Sequence, residues 1–198
     1  MGSVSSLGHS AGVRERIICA ALELARTVGL ESMSQAKVAA QAGVRQSHLT
    51  YYFPTRLDLI KGMHEAIRAQ LIVEGRDVVS AHVKGQGASL ESLKSYIRLE
   101  ATNHHRARML LSLALAASQD ETFNAQMRQF DLELVEHLRF MFREVGVELP
   151  AGYAELLHVY LFGSGARRAL LGDDHVNDCT EDGLELMLAL LQRASPHD

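Results

Sequence analysis

Apolar residues recur at helical spacing along most of this chain of 198 residues. Stripes at i, i+3 and i+4 predict helices, and the strict alternation that marks half-buried strands is not seen in the sequence. The first stripe predicts a helix from about 13 to 28, and Gly29 follows it as a C-terminal stop. Its apolar members are Ile18, Ala21, Leu22, Ala25 and Val28. The pattern therefore predicts an all-α protein.

The stretch from Ser34 to Phe53 predicts two short helices joined by a tight turn. Ser34 is a favourable N-cap for the first helix. Gly43 can adopt the left-handed conformation that ends a helix, and Val44 can fill the angle between the two helices. The narrow apolar face of the first helix, which allows a close approach by the second, consists of Val38, Ala39 and Ala42.

The second short helix has few aliphatic residues and many hydrogen-bond donors, in the run RQSHLTYY. That composition is poor for a core helix and typical of a helix that lies in a DNA groove. We expect Leu49, Tyr52 and Phe53 to form its inner, buried side.

A longer helix is predicted after Pro54, because Thr55 is an N-cap and Asp58 completes a capping-box-like pair with it. Its apolar spacing continues to about 83 and joins the N-terminal part to the rest of the chain. The segment 84–89, with two glycines, predicts a loop. Beyond it, helices are predicted at about 90–103, 106–117, 121–145, 152–171 and 180–193, the last capped by Thr180.

The net charge of −4 conceals an asymmetry, since residues 1–68 carry +3 and residues 69–198 carry −7. A basic N-terminal part is attracted to phosphates, although a difference this small also arises by chance. The chain has two distant cysteines, no signal-peptide pattern, and apolar runs much shorter than the ~20 residues that span a bilayer. We therefore expect a soluble, reduced, cytoplasmic protein with no membrane partner.

The segment from about Arg14 to Leu59 resembles the DNA-binding domain of the tetracycline-repressor (TetR) family. That family shows a helix ending in glycine, a Thr/Ser-x-x-x-aliphatic-Ala-x-x-Ala-Gly-Val element, a short helix closing in an aromatic-Phe pair, and a Lys-x-x-Leu start to the next helix. The matching positions are Gly29, Ser34, Val38, Ala39, Ala42, Gly43, Val44, Tyr52, Phe53, Arg56 and Leu59. The resemblance covers about the first third of the chain.

Three positions depart from the family pattern, and all three concern DNA contacts. Arg45 stands where the family usually has a capping serine, Thr50 where it usually has a tyrosine, and Arg56 where it usually has a lysine. The resemblance implies a homodimer that binds double-stranded operator DNA through its N-terminal domain and a small-molecule effector through its body.

Position along the predicted recognition helix assigns different roles to its polar residues. Gln46 and Ser47, at its start, are expected to read base edges in the major groove. Arg45, Tyr51 and Arg56 are expected to contact phosphates, and His48 could do either. The full predicted DNA-binding set is Lys37, Arg45, Gln46, Ser47, His48, Thr50, Tyr51, Thr55 and Arg56.

Methionine and aromatic side chains on the helices of the body indicate an apolar small-molecule pocket. The alternative for each of these residues is ordinary core packing, which is the commoner fate of such stripes. The predicted pocket consists of Tyr96, Asn103, Met109, Leu113, Phe123, Gln126, Met127, Phe130, His137 and Tyr160.

The last two predicted helices are apolar around much of their circumference, so each needs more than one neighbour. Gly163 and Gly165 would permit the close approach of a second backbone. We interpret these helices as a dimer interface, with packing inside one chain as the alternative. The predicted interface consists of Leu156, Tyr160, Gly163, Arg167, Leu184, Met187, Leu188 and Leu191.

Catalytic and metal-binding patterns are not found in the sequence. His104 and His105 are adjacent, so on a helix they point about 100° apart instead of sharing a face. No phosphate-binding glycine loop, nucleophile elbow or HExxH element is present. We expect no enzymatic activity, no metal and no cofactor.

These observations predict two domains. Residues 1–53 would form a tail and a three-helix helix-turn-helix domain, and residues 54–198 a linking helix and a helical effector-binding and dimerisation domain. The predicted function is a transcriptional regulator, acting as a repressor, that binds a pseudo-palindromic operator and is released by an effector. The alternative is an all-helical enzyme or ligand-binding protein whose helix-turn-helix is only structural.

Overall fold

The computed structural model describes residues 12–81, 90–171 and 182–189. In this part of the chain all regular secondary structure is helical, which confirms the all-α prediction. The helices are α1 Val13–Val28, α2 Gln35–Gln41, α3 Gln46–Tyr52, α4 Arg56–Ala81, α5 Leu90–Ala101, α6 His104–Ala117, α7 Glu121–Glu144 and α8 Tyr153–Leu171. A further helix, α9, covers 182–189.

Local sequence signals set most of the helix ends. α1 has the predicted bounds, and Gly29 ends it with a φ of 83°. α6 begins two residues before the predicted start, because Asn103 Oδ1 caps it by accepting a hydrogen bond from the Arg106 backbone N–H at 3.1 Å. The predicted loop at 84–89 and the Thr180 cap lie outside the described residues.

The chain divides into two compact units, residues 1–68 and 69–198, and the division falls inside α4. The sequence placed the domain boundary earlier, between residues 53 and 54. The difference arises because the first turns of α4 pack on the N-terminal unit. A Cβ atom on Gly62 would lie 2.7 Å from the Phe53 ring and 2.8 Å from Ile18, so α4 runs directly against α1 and the end of α3.

The core of the second unit brings together residues from α5, α7, α8 and α9. The Tyr153 hydroxyl, at the start of α8, donates a hydrogen bond of 2.6 Å to the carbonyl of Met187 on α9, in a buried setting. Gly183 lets α9 approach the Tyr160 ring, since a Cβ there would lie 2.5 Å from the phenol oxygen. The core includes Leu93, Ile97, Leu138, Phe142, Leu157, Leu184 and Leu188.

Gly165 allows α6 and α8 to approach closely, because a Cβ at this position would lie 2.4 Å from the Cβ of Ala107. Gly163, two residues earlier on the same helix, faces open space. The two glycines therefore have different roles, although the sequence treated them alike. No described helix is both long enough and apolar enough to cross a membrane.

Gly165→Ala should destabilise the second unit by about 1–3 kcal/mol, the usual cost of overpacking. Urea unfolding should be measured for Gly165→Ala, Ala107→Gly and the double variant. The double variant should lose less stability than the sum of the single losses, since moving the methyl group from one helix to the other relieves the clash. Additive losses would contradict the close α6–α8 contact.

Candidate nucleic-acid interface and apolar cavity

The turn between α2 and α3 is built by local backbone chemistry. The Ser34 hydroxyl accepts a hydrogen bond from the Lys37 backbone N–H at 3.3 Å, as an N-cap does. Gly43 has a φ of 63°, a conformation that glycine adopts without strain. The Val44 N–H donates to the Ala39 carbonyl at 3.0 Å and closes the end of α2. The predicted helix-turn-helix is confirmed.

The seven residues of α3 are anchored at one position on their inner side. Leu49 is fully buried, and Phe53, just after the helix, is 3% exposed. With 3.6 residues per turn, Ser47 and Tyr51 point to the side opposite Leu49, and Tyr51 is accordingly 80% exposed. The outward face of α3 is therefore polar.

The prediction that Tyr52 is buried is wrong, since its side chain is 41% exposed. Phe53 fills this end of the small core, and the Arg14 guanidinium lies over the Phe53 ring at 5.5 Å from its centroid. The Tyr52 ring instead packs edge-on against Tyr51, with their centroids 5.1 Å apart.

Five of the nine predicted DNA-binding residues keep their polar groups available. Each is exposed, and none of their side chains forms a hydrogen bond with another part of the chain that the structure describes. Arg45 occupies the N-cap position of α3 without capping it, so its guanidinium is not used by the helix. These five residues, the α3 surface, are Arg45, Gln46, Ser47, His48 and Tyr51.

The other four predicted residues are engaged within the N-terminal unit. Lys37 Nζ donates to the Ser32 carbonyl at 3.0 Å. The Thr50 hydroxyl donates to the Gln46 carbonyl at 3.2 Å, inside its own helix. Both bonds are local, and they position the backbone on either side of the turn.

Thr55 and Arg56 are engaged at the start of α4. The Thr55 hydroxyl and backbone N–H both donate to Asp58 Oδ2, at 2.7 and 2.9 Å, which confirms the predicted cap. These two bonds lower the pKa of the Asp58 carboxyl, the hydroxyl bond contributing most. Arg56 Nη2 donates to the Leu30 carbonyl at 2.7 Å and ties α4 to the loop after α1.

The second unit contains a cavity of about 100 Å³ among α5, α6, α7 and α8, with Leu71 of α4 in its wall. Its polar lining is concentrated in a few side chains: Tyr96, Glu100, Asn103, Arg106, His137 and His158. Its apolar lining includes Leu71, Ile97, Leu110, Leu134, Leu138, Met141, Leu161 and Phe162.

A charged cluster forms the polar part of this cavity. Arg106 Nη1 donates to Glu100 Oε2 at 2.5 Å, and Arg106 Nη2 donates to Glu74 Oε2 at 2.9 Å. Burial raises the pKa of the Glu100 carboxyl, although Arg106 opposes this. Burial also raises the pKa of the Tyr96 phenol, and the nearby Glu100 adds to the effect.

Two histidines complete the polar lining in different ways. The His137 ring lies against α4 at Gly75, where a Cβ would be 2.1 Å from Nε2, and this nitrogen has no hydrogen-bond partner among the described residues. Burial, and then the charge of Arg76, lower the pKa of His137. His158 Nε2 pairs with Asp131 Oδ1 at 2.7 Å.

The predicted pocket residues are distributed over several environments. Tyr96, Asn103 and His137 line the cavity. Met127 and Phe130 line an adjoining groove, which shares Leu110, Leu134, His158 and Phe162 with the cavity.

The remaining pocket predictions need correction. Met109, Leu113 and Phe123 are buried and line neither space, because neighbouring helices fill the volume around them. Gln126 is exposed, and Tyr160 packs against Gly183 instead of lining the cavity.

Sequence analysis missed Glu100 and Arg106, which are the main charged groups of the cavity. They lie six residues apart across the α5–α6 turn, and their other partner, Glu74, is 32 residues from Arg106. Helical periodicity does not reveal such contacts. The one available signal was the placement of charged residues at the ends of two apolar helices.

Apart from Tyr160, which is partly buried beside Gly183, the described residues of the predicted dimer interface fall into two groups. Leu156, Gly163 and Arg167 are exposed on α8. Together with Val159 and Leu170, which are 65% and 79% exposed, Leu156 and Gly163 define an apolar strip on α8. Leu184, Met187 and Leu188 are 2–8% exposed, so they are corrected to core residues of the protomer. Leu191 lies outside the described residues.

The N-terminal unit is similar to a known family of proteins. Residues 17–63 match the family model described as bacterial regulatory proteins, tetR family. The matched segment runs from α1 into α4 and includes the whole α3 surface. No curated protein matches the sequence.

Solved structures resemble the chain over nearly its full length. A transcriptional regulator from Rhodococcus sp. Rha1 has a TM-score of 0.69 at 19% identity, covering 92% of this chain and 99% of that one. NalD of Pseudomonas aeruginosa, the secondary repressor of the MexAB-OprM multidrug efflux pump, has a TM-score of 0.56 at 18% identity and coverages of 94% and 97%. FadR of Bacillus subtilis, in complex with stearoyl-CoA, has a TM-score of 0.58 at 18% identity and coverages of 92% and 99%. At these identities the likeness concerns the fold.

Asp58→Ala should lower the free energy of unfolding at neutral pH by about 0.5–2 kcal/mol, because it removes the carboxylate that accepts the two Thr55 hydrogen bonds in the capping box of α4. The folded-state pKa of Asp58 is lowered, so its stabilisation is present above the unfolded-state pKa and is lost as pH falls through the folded-state pKa. Urea unfolding of both proteins from neutral to acidic pH should show their stabilities converging. A constant difference throughout would contradict the role of the ionised carboxylate.

Proposed function

We propose that this protein, whose residues 17–63 match the family model of bacterial tetR-family regulatory proteins, is a transcriptional repressor that binds operator DNA as a homodimer and is released by a small molecule. The observation that carries the proposal is the α3 surface. A short helix held by Leu49 presents five exposed, uncommitted polar side chains immediately after a helix-turn-helix turn. Such a surface has the composition that base edges and phosphates require.

Different residues of the α3 surface would have different tasks. Gln46 and Ser47 lie at the N-terminal end, which enters the major groove in helix-turn-helix proteins, and they would read base edges. Arg45 precedes the helix and would contact a phosphate. Tyr51 lies one turn beyond Ser47 on the outward face, so its phenol would reach the DNA backbone at the wall of the groove. His48 lies beside Ser47.

Arg56 contributes less to DNA binding in this proposal than its position in the sequence indicated. Its bond to the Leu30 carbonyl engages one side of the guanidinium, but the residue is exposed. It would support the α1–α2 loop and offer its remaining N–H groups to a phosphate. A change at Arg56 therefore mixes a structural effect with a DNA effect, and Arg45 is the cleaner probe.

Two copies of the chain would bind one operator. A single seven-residue helix contacts too few base edges for useful specificity, and a two-fold dimer doubles them. The apolar strip on α8 supports this association, because contiguous exposed apolar surface marks interaction sites. The operator would then be a pseudo-palindrome.

The cavity would bind the effector. NalD is a repressor, which supports repression, and FadR is seen in complex with stearoyl-CoA, which supports a ligand site. α4 is continuous and contributes residues to both units, so it is the element through which the effector would act. The effector must favour a conformation that DNA does not, and by linkage DNA must weaken effector binding equally.

The competing function is an all-helical enzyme or ligand carrier with a structural helix-turn-helix. It would show only weak duplex binding that salt removes. A titration of genomic duplexes, including the region around the protein's own gene, distinguishes the two and supplies an operator for the next experiment.

Arg45→Ala should weaken binding to every duplex about equally and lower the slope of log affinity against log salt by about one, since it removes one phosphate contact. Gln46→Ala should cost about 1–3 kcal/mol on the operator and little on a scrambled duplex. Both variants should be titrated on both duplexes at several salt concentrations. A loss of affinity only on the operator with Arg45→Ala, and an equal loss of affinity on both duplexes with Gln46→Ala, would reverse these assignments.

Gly163→Leu should raise the dimer dissociation constant at least tenfold, because it adds bulk to the apolar strip where one protomer has open space. Ala125→Leu, at an exposed position on α7, is the matched control and should leave the constant unchanged. Sedimentation equilibrium measures both, and a melting curve verifies folding. An unchanged dimer dissociation constant for Gly163→Leu would show that the dimer contact lies elsewhere on the chain.

A further inference from the structure

The polar part of the cavity has an imbalance of charge. Two carboxylates, Glu74 and Glu100, share the single guanidinium of Arg106. With all three groups ionised, the cluster carries a net charge of −1. Among the described residues that line the cavity, Arg106 is the only lysine or arginine.

Burial makes this imbalance energetically important. The side chains of Glu100 and Arg106 are 15% and 20% exposed, and that of Glu74 is 34% exposed. A buried carboxylate must be compensated by an opposite charge or by hydrogen bonds, because water no longer solvates it. Arg106 divides its charge between two carboxylates. Burial is the main cause that raises the pKa of Glu100, Arg106 opposes it, and the charge of Glu74 adds to it.

The two histidines do not supply the missing positive charge. His158 is already paired with Asp131, and burial lowers the pKa of His137 and so favours its neutral form. Arg76, which contributes to that lowering, is exposed to solvent and does not line the cavity. A cation that enters the cavity would therefore meet a carboxylate that is only partly compensated, and Arg106, which two carboxylates already engage, is the one lysine or arginine among the described residues of the lining.

The remaining residues of the lining determine what kind of molecule can carry the cation. Aliphatic side chains and Phe162 form the walls. Pockets of this kind bind an apolar body and fix its orientation through a few polar groups.

We propose that the cavity binds an organic cation with an apolar body, whose ammonium group lies beside Glu100 and whose body contacts the walls formed by α6, α7 and α8. The inference rests on the proposed function of the cavity as the effector site. It names the chemical class of the effector.

An anionic ligand fits the same geometry less well. Both terminal nitrogens of Arg106 are bonded to carboxylates, so an incoming anion would have to displace one and remain close to the other. Like charges at such distances repel, and low dielectric surroundings strengthen the repulsion. A neutral ligand gains only the apolar contacts.

A matched set of small molecules tests this directly. 4-Phenylbutylamine, 4-phenylbutan-1-ol and 4-phenylbutyrate have nearly the same shape and differ in charge. Isothermal titration of the full chain at pH 7 should show the amine binding at least tenfold more tightly than the alcohol, and the carboxylate binding most weakly. Glu100→Gln should weaken the amine about tenfold and leave the alcohol unchanged.

Glu144→Gln, at an exposed position on α7, is the matched control and should leave the affinity for all three compounds unchanged. A melting curve for each variant verifies folding. Equal binding of the three compounds, tighter binding of the carboxylate, an amine affinity that does not depend on Glu100, or no binding by any compound would overturn the inference.

Duplex binding by the same proteins is measured separately, because it tests the proposed function and not the ligand class. Glu144→Gln should bind duplex as the wild type does. Charge-selective amine binding in a chain that binds no specific duplex would support the cavity inference and refute the repressor. Specific duplex binding by a chain that shows no charge selectivity among the three compounds would support the repressor and refute the cavity inference.

Discussion

The burial of Leu49 is the constraint on which the N-terminal unit depends. A helix of seven residues is too short to be stable by itself in water. α3 persists because Leu49 inserts completely into the small core and Phe53 closes its end. Since these two residues supply the anchoring, the outward side of α3 can consist of polar groups with no structural duty.

The surroundings of α3 consist of interactions that position it. Gly43 sets the angle at which α3 leaves α2, and Gly62 lets α4 lie directly against Phe53. Arg56 joins the start of α4 to the loop after α1. None of these three residues is proposed to read bases, so structural and base-reading roles are divided between different residues, although Arg56 combines its structural bond with a proposed phosphate contact.

The second unit combines close helix packing with a polar cluster inside an apolar space. Gly165 and Gly183 allow α6 and α9 to approach α8 closely. The cluster of Glu74, Arg106 and Glu100 joins α4, α5 and α6 around the cavity. A cluster with incomplete compensation is a poor stabiliser and a good recognition element, because a ligand of the right charge completes it.

Sequence predicted the features that depend on neighbouring residues. The ends of α1, the Ser34 and Thr55 caps and the Gly43 turn are each encoded within a few positions, and the structure confirms them. Apolar periodicity identified which faces of the helices are buried, but not which helices pack against those faces. Leu184 and Met187 were therefore assigned to a second protomer although they pack within their own. The Glu74–Arg106 contact left no local signal, since it joins distant parts of the chain.

In the proposed function the α3 surface reads DNA sequence, and two copies of the chain do so together. Selection of bound duplexes from a random library by the full chain tests it most directly, because no operator has to be known beforehand. The account predicts an enriched motif of two inverted half-sites whose centres are separated by about one helical turn of DNA or a multiple of it. An unenriched pool, or a single asymmetric half-site, would contradict it.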